Sequence, residues 1–95
     1  MKLTLSFIKK ASLPVLKRYG VRKAAVFGST ARNEMKSGSD VDFVVEMKKS
    51  KSLLDLIGLR LDLKDKLKTD VDIVTYNSLN PRLRKYILRE QVRII

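Results

Sequence analysis

The sequence predicts an α/β protein with a small mixed β-sheet and flanking helices. Short apolar runs rich in β-branched residues predict strands at 22–27, 40–47 and 71–76. Leucines at helical spacing across residues 53–68 predict a long helix between the second strand and the third. The chain has 95 residues, which is the size of one domain, so we treat 1–95 as a single unit.

The N-terminal segment 3–19 is predicted to be helical, because its apolar residues recur at three- and four-residue spacing. Pro14 cannot lie in a helix interior without a kink. We therefore expect one helix to end near Ser12 and another turn to begin there. Gly20 is expected to cap the C-terminal end.

The second predicted strand, 40–47, has two different faces. Residues two apart in a strand point to the same side. One face is apolar and the other begins with two carboxylates; the faces are Val41, Phe43 and Val45, and Asp40, Asp42 and Val44. A turn at 36–39 is expected to precede this strand.

The predicted helix 53–68 has an apolar arc wider than an ordinary surface helix needs. Its apolar residues form two stripes. The first is Leu53, Leu56, Leu59, Leu63 and Leu67, and the second is Leu54, Ile57 and Leu61. Two interpretations remain open: the helix is sunk in its own core, or it also covers a partner. Gly58 costs about 1 kcal/mol against alanine in mid-helix, which points to close packing there.

The C-terminal third completes the sheet. A strand at 71–76 is followed by a turn, a basic helix at 82–90 and a short edge strand at 92–95. Asp70 and Asp72 would point to the same side of the third strand. We assign Asp72 to the functional site, because Asp70 lies at the strand entrance and is expected to be exposed.

The composition restricts the possible chemistry. The chain has no histidine and no cysteine, so acid–base or metal chemistry must use carboxylates. It has no long apolar run and no signal-peptide layout, so a soluble cytoplasmic protein without membrane contact is expected. The net charge of +11 fits a solvated basic surface, an acidic partner, an anionic nucleotide or nucleic acid. We expect only weak, non-specific nucleic-acid binding.

The segment 27–42, FGSTARNEMKSGSDVD, carries the strongest functional signal. Gly28 lets the backbone turn sharply and approach a ligand, because it has no Cβ. Residues 30–32 can open a short helix whose free N–H groups suit a phosphate. Asp40 and Asp42 would face that site, and paired carboxylates with substrate phosphates suit Mg²⁺.

These residues resemble the signature of the nucleotidyltransferases related to DNA polymerase beta. The match consists of Gly28-Ser29, Ala31-Arg32 and Ser39-Asp40-Val41-Asp42, with Asn33 where that family usually has glycine. The length and layout resemble the minimal nucleotidyltransferases, whose members are typically paired with a HEPN-type toxin. The resemblance therefore implies a polymerase beta-like palm fold and an antitoxin.

The resemblance also implies a mechanism and a set of site residues. Asp40, Asp42 and Asp72 would bind two Mg²⁺ ions, and Asp72 would help to deprotonate the attacking hydroxyl. Gly28 and Ser29 would hold the phosphates of ATP. Arg32 would neutralise phosphate charge, although a salt bridge within the domain is an equal alternative.

Three functions remain open from the sequence. The first is transfer of AMP from ATP to a protein hydroxyl, which the resemblance implies to be a tyrosine of a HEPN toxin. The second is a non-catalytic antitoxin that acts by contact, and the third is nucleotidyl transfer to RNA ends. The partner is expected to be acidic and mostly helical, since the chain is basic and the helix 53–68 has a second apolar stripe.

Overall fold

The computed structural model describes residues 3–28, 30–32 and 40–95. The predicted turn at 36–39, Ser29 and Asn33 lie outside the described residues. The helices are α1 (Leu5–Arg18), α2 (Leu53–Leu67) and α3 (Pro81–Glu90), with a short 3-10 turn at Tyr76–Ser78. The strands are β1 (Val21–Phe27), β2 (Val41–Met47), β3 (Val71–Thr75) and β4 (Val92–Arg93). The predicted α/β class is confirmed.

The described strands form one mixed sheet in the order β3-β2-β1-β4. β1 runs antiparallel to β2 and to β4, whereas β2 and β3 are parallel. The parallel pair is connected through α2, as a crossover between parallel strands requires. The N-terminal ends of β2 and β3 consequently lie at the same end of the sheet.

The two faces of the sheet are covered differently. The predicted alternation of β2 is confirmed: Val41, Phe43 and Val45 are buried with the core side chains of α1 and α2. Val44 lies on the opposite face, in a smaller cluster that includes Ile87 of α3. Among the described elements, one face thus carries α1, α2 and the main core, and the other carries α3 and the 3-10 turn.

The expected helix break near Ser12 is wrong, because α1 is continuous with Pro14 inside it. Proline in a helix interior costs about 3 kcal/mol or more. Burial of an aliphatic side chain contributes about 1.5–3 kcal/mol, and α1 fully buries Ile8 and Leu16. Packing on the sheet therefore outweighs the local cost. The Ser12 hydroxyl donates a 2.6 Å hydrogen bond to the Ile8 carbonyl.

The helix α2 starts at a capping box, in which Ser52 and Asp55 satisfy each other's backbone N–H groups. Its core contacts are Leu59, Leu63 and Leu67, all buried. The prediction that Leu53 shares their face is wrong, since it is 71% exposed. Each three-residue step turns a position by about 60° around the helix, so Leu53 is about 120° away from Leu59.

The second stripe of α2 is exposed: Leu54 is 78%, Ile57 47% and Leu61 57% accessible. The sheet of this chain therefore does not cover it. Close packing occurs instead at Gly58, where a Cβ would lie 3.1 Å from the Tyr19 hydroxyl oxygen. That hydroxyl donates a 2.5 Å hydrogen bond to Asp62, which joins α1 to α2.

The helix α3 begins at Asn80, whose side chain accepts a 2.8 Å hydrogen bond from the Leu83 N–H. Pro81 occupies the first helical position, where it needs no hydrogen-bond partner. Only Ile87 of this helix is buried. None of the described helices is long and apolar enough to cross a membrane.

Candidate active site

The parallel pairing of β2 and β3 places Asp42 directly opposite Asp72. Both side chains point to the face of Val44 and Val74, because residues two apart share a face. Neighbouring strands are about 4.8 Å apart, so the two carboxylates share one site. This site lies at the end of the sheet where β2 and β3 begin, on the face that α3 partly covers.

Asp40 lies just before β2 and is exposed. Its charge reaches the site, because the negative charges of Asp72 and Asp40 both raise the pKa of Asp42. The first cause of that raised pKa is the partial burial of Asp42 itself. Asp42 therefore lies within the electrostatic reach of both other predicted aspartates.

Asp70 is engaged elsewhere. Its carboxylate lies 3.0 Å from the Lys64 ammonium, near the C-terminal end of α2. Its backbone carbonyl accepts a 3.0 Å hydrogen bond from the Val41 N–H, which starts the pairing of β2 with β3. Asp70 and Asp72 therefore have different surroundings although they are only two residues apart.

Gly28 brings the backbone of the loop against the central carboxylate. Its φ is +66°, and a Cβ at this position would lie 2.9 Å from Asp42 Oδ2. The Arg32 N–H donates a 3.2 Å hydrogen bond to the Gly28 carbonyl, which brings these two residues close together. Arg32 itself is exposed, and Ser29 lies outside the described residues.

Thr30 is a site-supporting residue for which the sequence analysis assigned no role beyond opening the short helix. It is fully buried, and its hydroxyl oxygen accepts a 3.3 Å hydrogen bond from the Asp42 N–H. This bond ties the glycine turn to the start of β2. The only signal in the sequence was its position between the two halves of the motif, since a threonine in a loop is usually exposed.

Replacing Gly28 by alanine is expected to lower nucleotidyl transfer by roughly tenfold to a hundredfold. A left-handed φ costs about 1–2 kcal/mol for a residue with a Cβ, and the new methyl group would displace Asp42 Oδ2 from the turn. Initial rates and thermal unfolding should be measured together. Gly20→Ala is a matched control, because Gly20 has a φ of +71° but lies against Lys51 and Lys48, outside the site. A Gly28→Ala protein with full activity and the stability loss of Gly20→Ala would contradict this.

The carboxylates of Asp42 and Asp72 together suit a divalent cation. In the described residues no group of three acidic side chains lies close enough together to hold one ion. Asp42 and Asp72 nevertheless are register neighbours, and the repulsion that raises the pKa of Asp42 is what a cation would relieve. Mg²⁺ typically takes one or two carboxylates, with substrate phosphates and water completing its shell.

Comparison with known proteins decides the family. Residues 11–95 match the family described as polymerase beta, nucleotidyltransferase. The chain belongs to that family. A Methanocaldococcus jannaschii protein named as a protein adenylyltransferase is 44% identical over 93 residues, which cover 98% of this chain and 100% of the relative. The predicted resemblance is confirmed, and this chain is a nucleotidyltransferase.

Solved structures share the fold of this nucleotidyltransferase. One described as a minimal nucleotidyltransferase is 38% identical, with a TM-score of 0.86 and 95% of both chains covered. A toxin–antitoxin structure with AMP-PNP has a TM-score of 0.80 at 19% identity, covering 92% of this chain and 72% of that one. A structure described as a tri-AMPylated Shewanella oneidensis HEPN toxin in complex with an MNT antitoxin has a TM-score of 0.75 at 17% identity, covering 97% of this chain and 72% of that one. Because the last two structures are only 19% and 17% identical to this chain, the comparison with them shows a shared fold and nothing more.

Proposed function

We propose that this nucleotidyltransferase transfers AMP from ATP to the hydroxyl group of a tyrosine in a HEPN-type toxin. It would thereby act as an antitoxin. The carrying observation is the parallel register that sets Asp42 beside Asp72, with Gly28 close to the Asp42 carboxylate. A relative whose full length is matched by this chain is named as a protein adenylyltransferase. Structures of the same fold contain a toxin–antitoxin pair with AMP-PNP and an AMPylated HEPN toxin.

Asp40, Asp42 and Asp72 would hold two Mg²⁺ ions, which supply positive charge for the phosphates and the developing charge of the reaction. Gly28 lets the phosphates approach the backbone, because no Cβ occupies the space beside Asp42 Oδ2. Ser29 and Arg32 are proposed to contact the phosphates. The hydrogen bond from the Asp42 N–H to the Thr30 hydroxyl holds the glycine turn next to the start of β2.

In the proposed reaction the acceptor hydroxyl oxygen forms a bond to the α-phosphorus of ATP. The bond from that phosphorus to the oxygen bridging to the β-phosphate breaks, and pyrophosphate leaves. Asp72 is proposed to accept the proton of the hydroxyl. It suits this role because it is exposed and can therefore be reached by an acceptor from another protein.

The acceptor protein is proposed to dock across α3, not across α2. The helix α3 is on the face of Asp42 and Asp72, since Ile87 and Val44 belong to one cluster. It carries four basic residues and exposed apolar side chains on one short element: Arg82, Arg84, Lys85 and Arg89, with Leu83, Tyr86 and Leu88. An acidic toxin surface would be attracted there, and the apolar side chains would retain it.

The test is incubation with α-labelled ATP, Mg²⁺ and the protein encoded by the neighbouring gene, followed by mass spectrometry of that protein. We expect a mass increase of one AMP on a tyrosine, lost with EDTA or with an ATP analogue that cannot release pyrophosphate. Neutralisation of the toxin without any AMP would support the non-catalytic antitoxin instead. Labelling of added RNA and not of protein would support transfer to RNA ends.

A further inference from the structure

The exposed stripe of α2, formed by Leu53, Leu54, Ile57 and Leu61, is apolar and lies away from the proposed active site. The four side chains are between 47% and 78% accessible. Leu59 and Leu63 of this helix belong to the same buried cluster as Val41 and Phe43, whereas Asp42 and Asp72 point to the other face of the sheet. A partner bound on this stripe would therefore sit behind the sheet, out of reach of the carboxylates.

We infer that this stripe binds a second copy of the chain, back to back, through two α2 helices related by a two-fold axis. Leu54, Ile57 and Leu61 follow each other at three and four residues, which is the spacing of a helix–helix seam. In an antiparallel pair this seam is self-complementary, as a two-fold interface requires. Leu54 of one copy would face Leu61 of the other, and Ile57 would lie close to the axis.

The charge distribution favours a second copy at this place. The chain has a net charge of +11, so two copies repel each other over most of their surface. The helix α2 is balanced, with three acidic and three basic residues: Asp55, Asp62 and Asp65, and Arg60, Lys64 and Lys66. Among the three described helices α2 is the balanced one, so two copies repel each other least there, and an acidic partner finds little attraction.

Three charged side chains beside the stripe already have hydrogen-bond or ion-pair partners within the chain. Asp62 accepts hydrogen bonds from Arg18 and Tyr19, and Lys64 pairs with Asp70 at 3.0 Å. Arg60 donates to the Val71 carbonyl at 2.8 Å. A second copy would thus cover apolar surface next to polar groups that already have partners within the chain. The contact would extend along roughly 12 Å of helix, the distance from Leu53 to Leu61 at about 1.5 Å per residue, and leave both catalytic faces outward.

Sedimentation velocity of the full chain over a wide concentration range tests this. We expect a monomer–dimer equilibrium that shifts toward dimer when NaCl is raised from about 0.15 M to about 1 M, because salt screens the repulsion and favours apolar contact. Ile57→Glu should shift the chain to monomer. Leu88→Glu is the matched control, because Leu88 is equally exposed at 47% but lies on α3, and it should leave the dimer unchanged.

An introduced cysteine gives an independent readout, since the chain has no cysteine. Ile57→Cys should form a disulfide between copies on mild oxidation, and Leu88→Cys should remain largely reduced, because only the former lies near the axis. The inference is overturned if the chain stays monomeric at every concentration and salt, or if the Leu88 variants dissociate or cross-link and the Ile57 variants do not. It is also overturned if Ile57→Glu loses the toxin and not the second copy.

Discussion

Replacing Asp42 by asparagine is expected to reduce AMP transfer by at least about a thousandfold while the fold stays intact. Stabilising phosphate charge through bound metal is worth several kcal/mol, and each 1.36 kcal/mol is a factor of ten in rate. Asp42 is the central carboxylate, opposite Asp72 and close to Gly28. The measurement is the initial rate with labelled ATP and saturating toxin.

The same variant should be as stable as the native chain or more stable at neutral pH. Burial and two neighbouring negative charges raise the pKa of Asp42 above its ordinary value of 3.8. The folded state then binds more protons than the unfolded state between the ordinary and the raised pKa, so stability falls as pH rises through that window. Asparagine removes this cost, and thermal unfolding at neutral pH measures it.

Because burial and the neighbouring carboxylates raise the pKa of Asp42 in the metal-free site, protons should compete with Mg²⁺ there at a higher pH than at an ordinary aspartate, and activity at limiting Mg²⁺ should fall accordingly. A matched control is Asp65→Asn, since Asp65 forms an exposed pair with Lys68 at 3.6 Å and lies on α2. If Asp42→Asn kept full Mg²⁺-dependent activity, the assignment of Asp42 to the metal site would be wrong.

Replacing Asp72 by asparagine is expected to abolish transfer, whereas Asp70→Asn should change it only modestly. Asp72 lies in register with Asp42, and Asp70 pairs with Lys64 on the surface. Exposed ion pairs of this kind are worth about 0–1 kcal/mol, so Asp70→Asn should also unfold at nearly the native temperature. The two rates should be measured side by side under saturating ATP.

The opposite order of effects would mean that Asp70, not Asp72, lies opposite Asp42. Because the two residues share a face of β3, this requires β3 to be shifted by two residues along β2 from the register that pairs Asp42 with Asp72. The same experiment therefore tests the register of the sheet.

Much of the fold could be predicted because its determinants are local. The alternation of β2 places Val41, Phe43 and Val45 in the core, and that pattern is visible in the sequence. The positive φ of Gly20 and Gly28 was similarly readable, because glycine is the residue that adopts this conformation without strain. The outcome at Pro14 was not readable in the same way, since it depends on how much apolar surface α1 buries against the sheet.

The sequence by itself determined the order of helices and strands, the side of β2 on which the carboxylates lie and the motif that identifies the family. The tertiary structure decided which carboxylates meet, because the register of β3 against β2 puts Asp72, not Asp70, opposite Asp42. It also gave Thr30 its role and left Leu53 and Leu54 exposed. Local periodicity sets the direction of a side chain, whereas its burial and partners depend on segments that are distant in the chain.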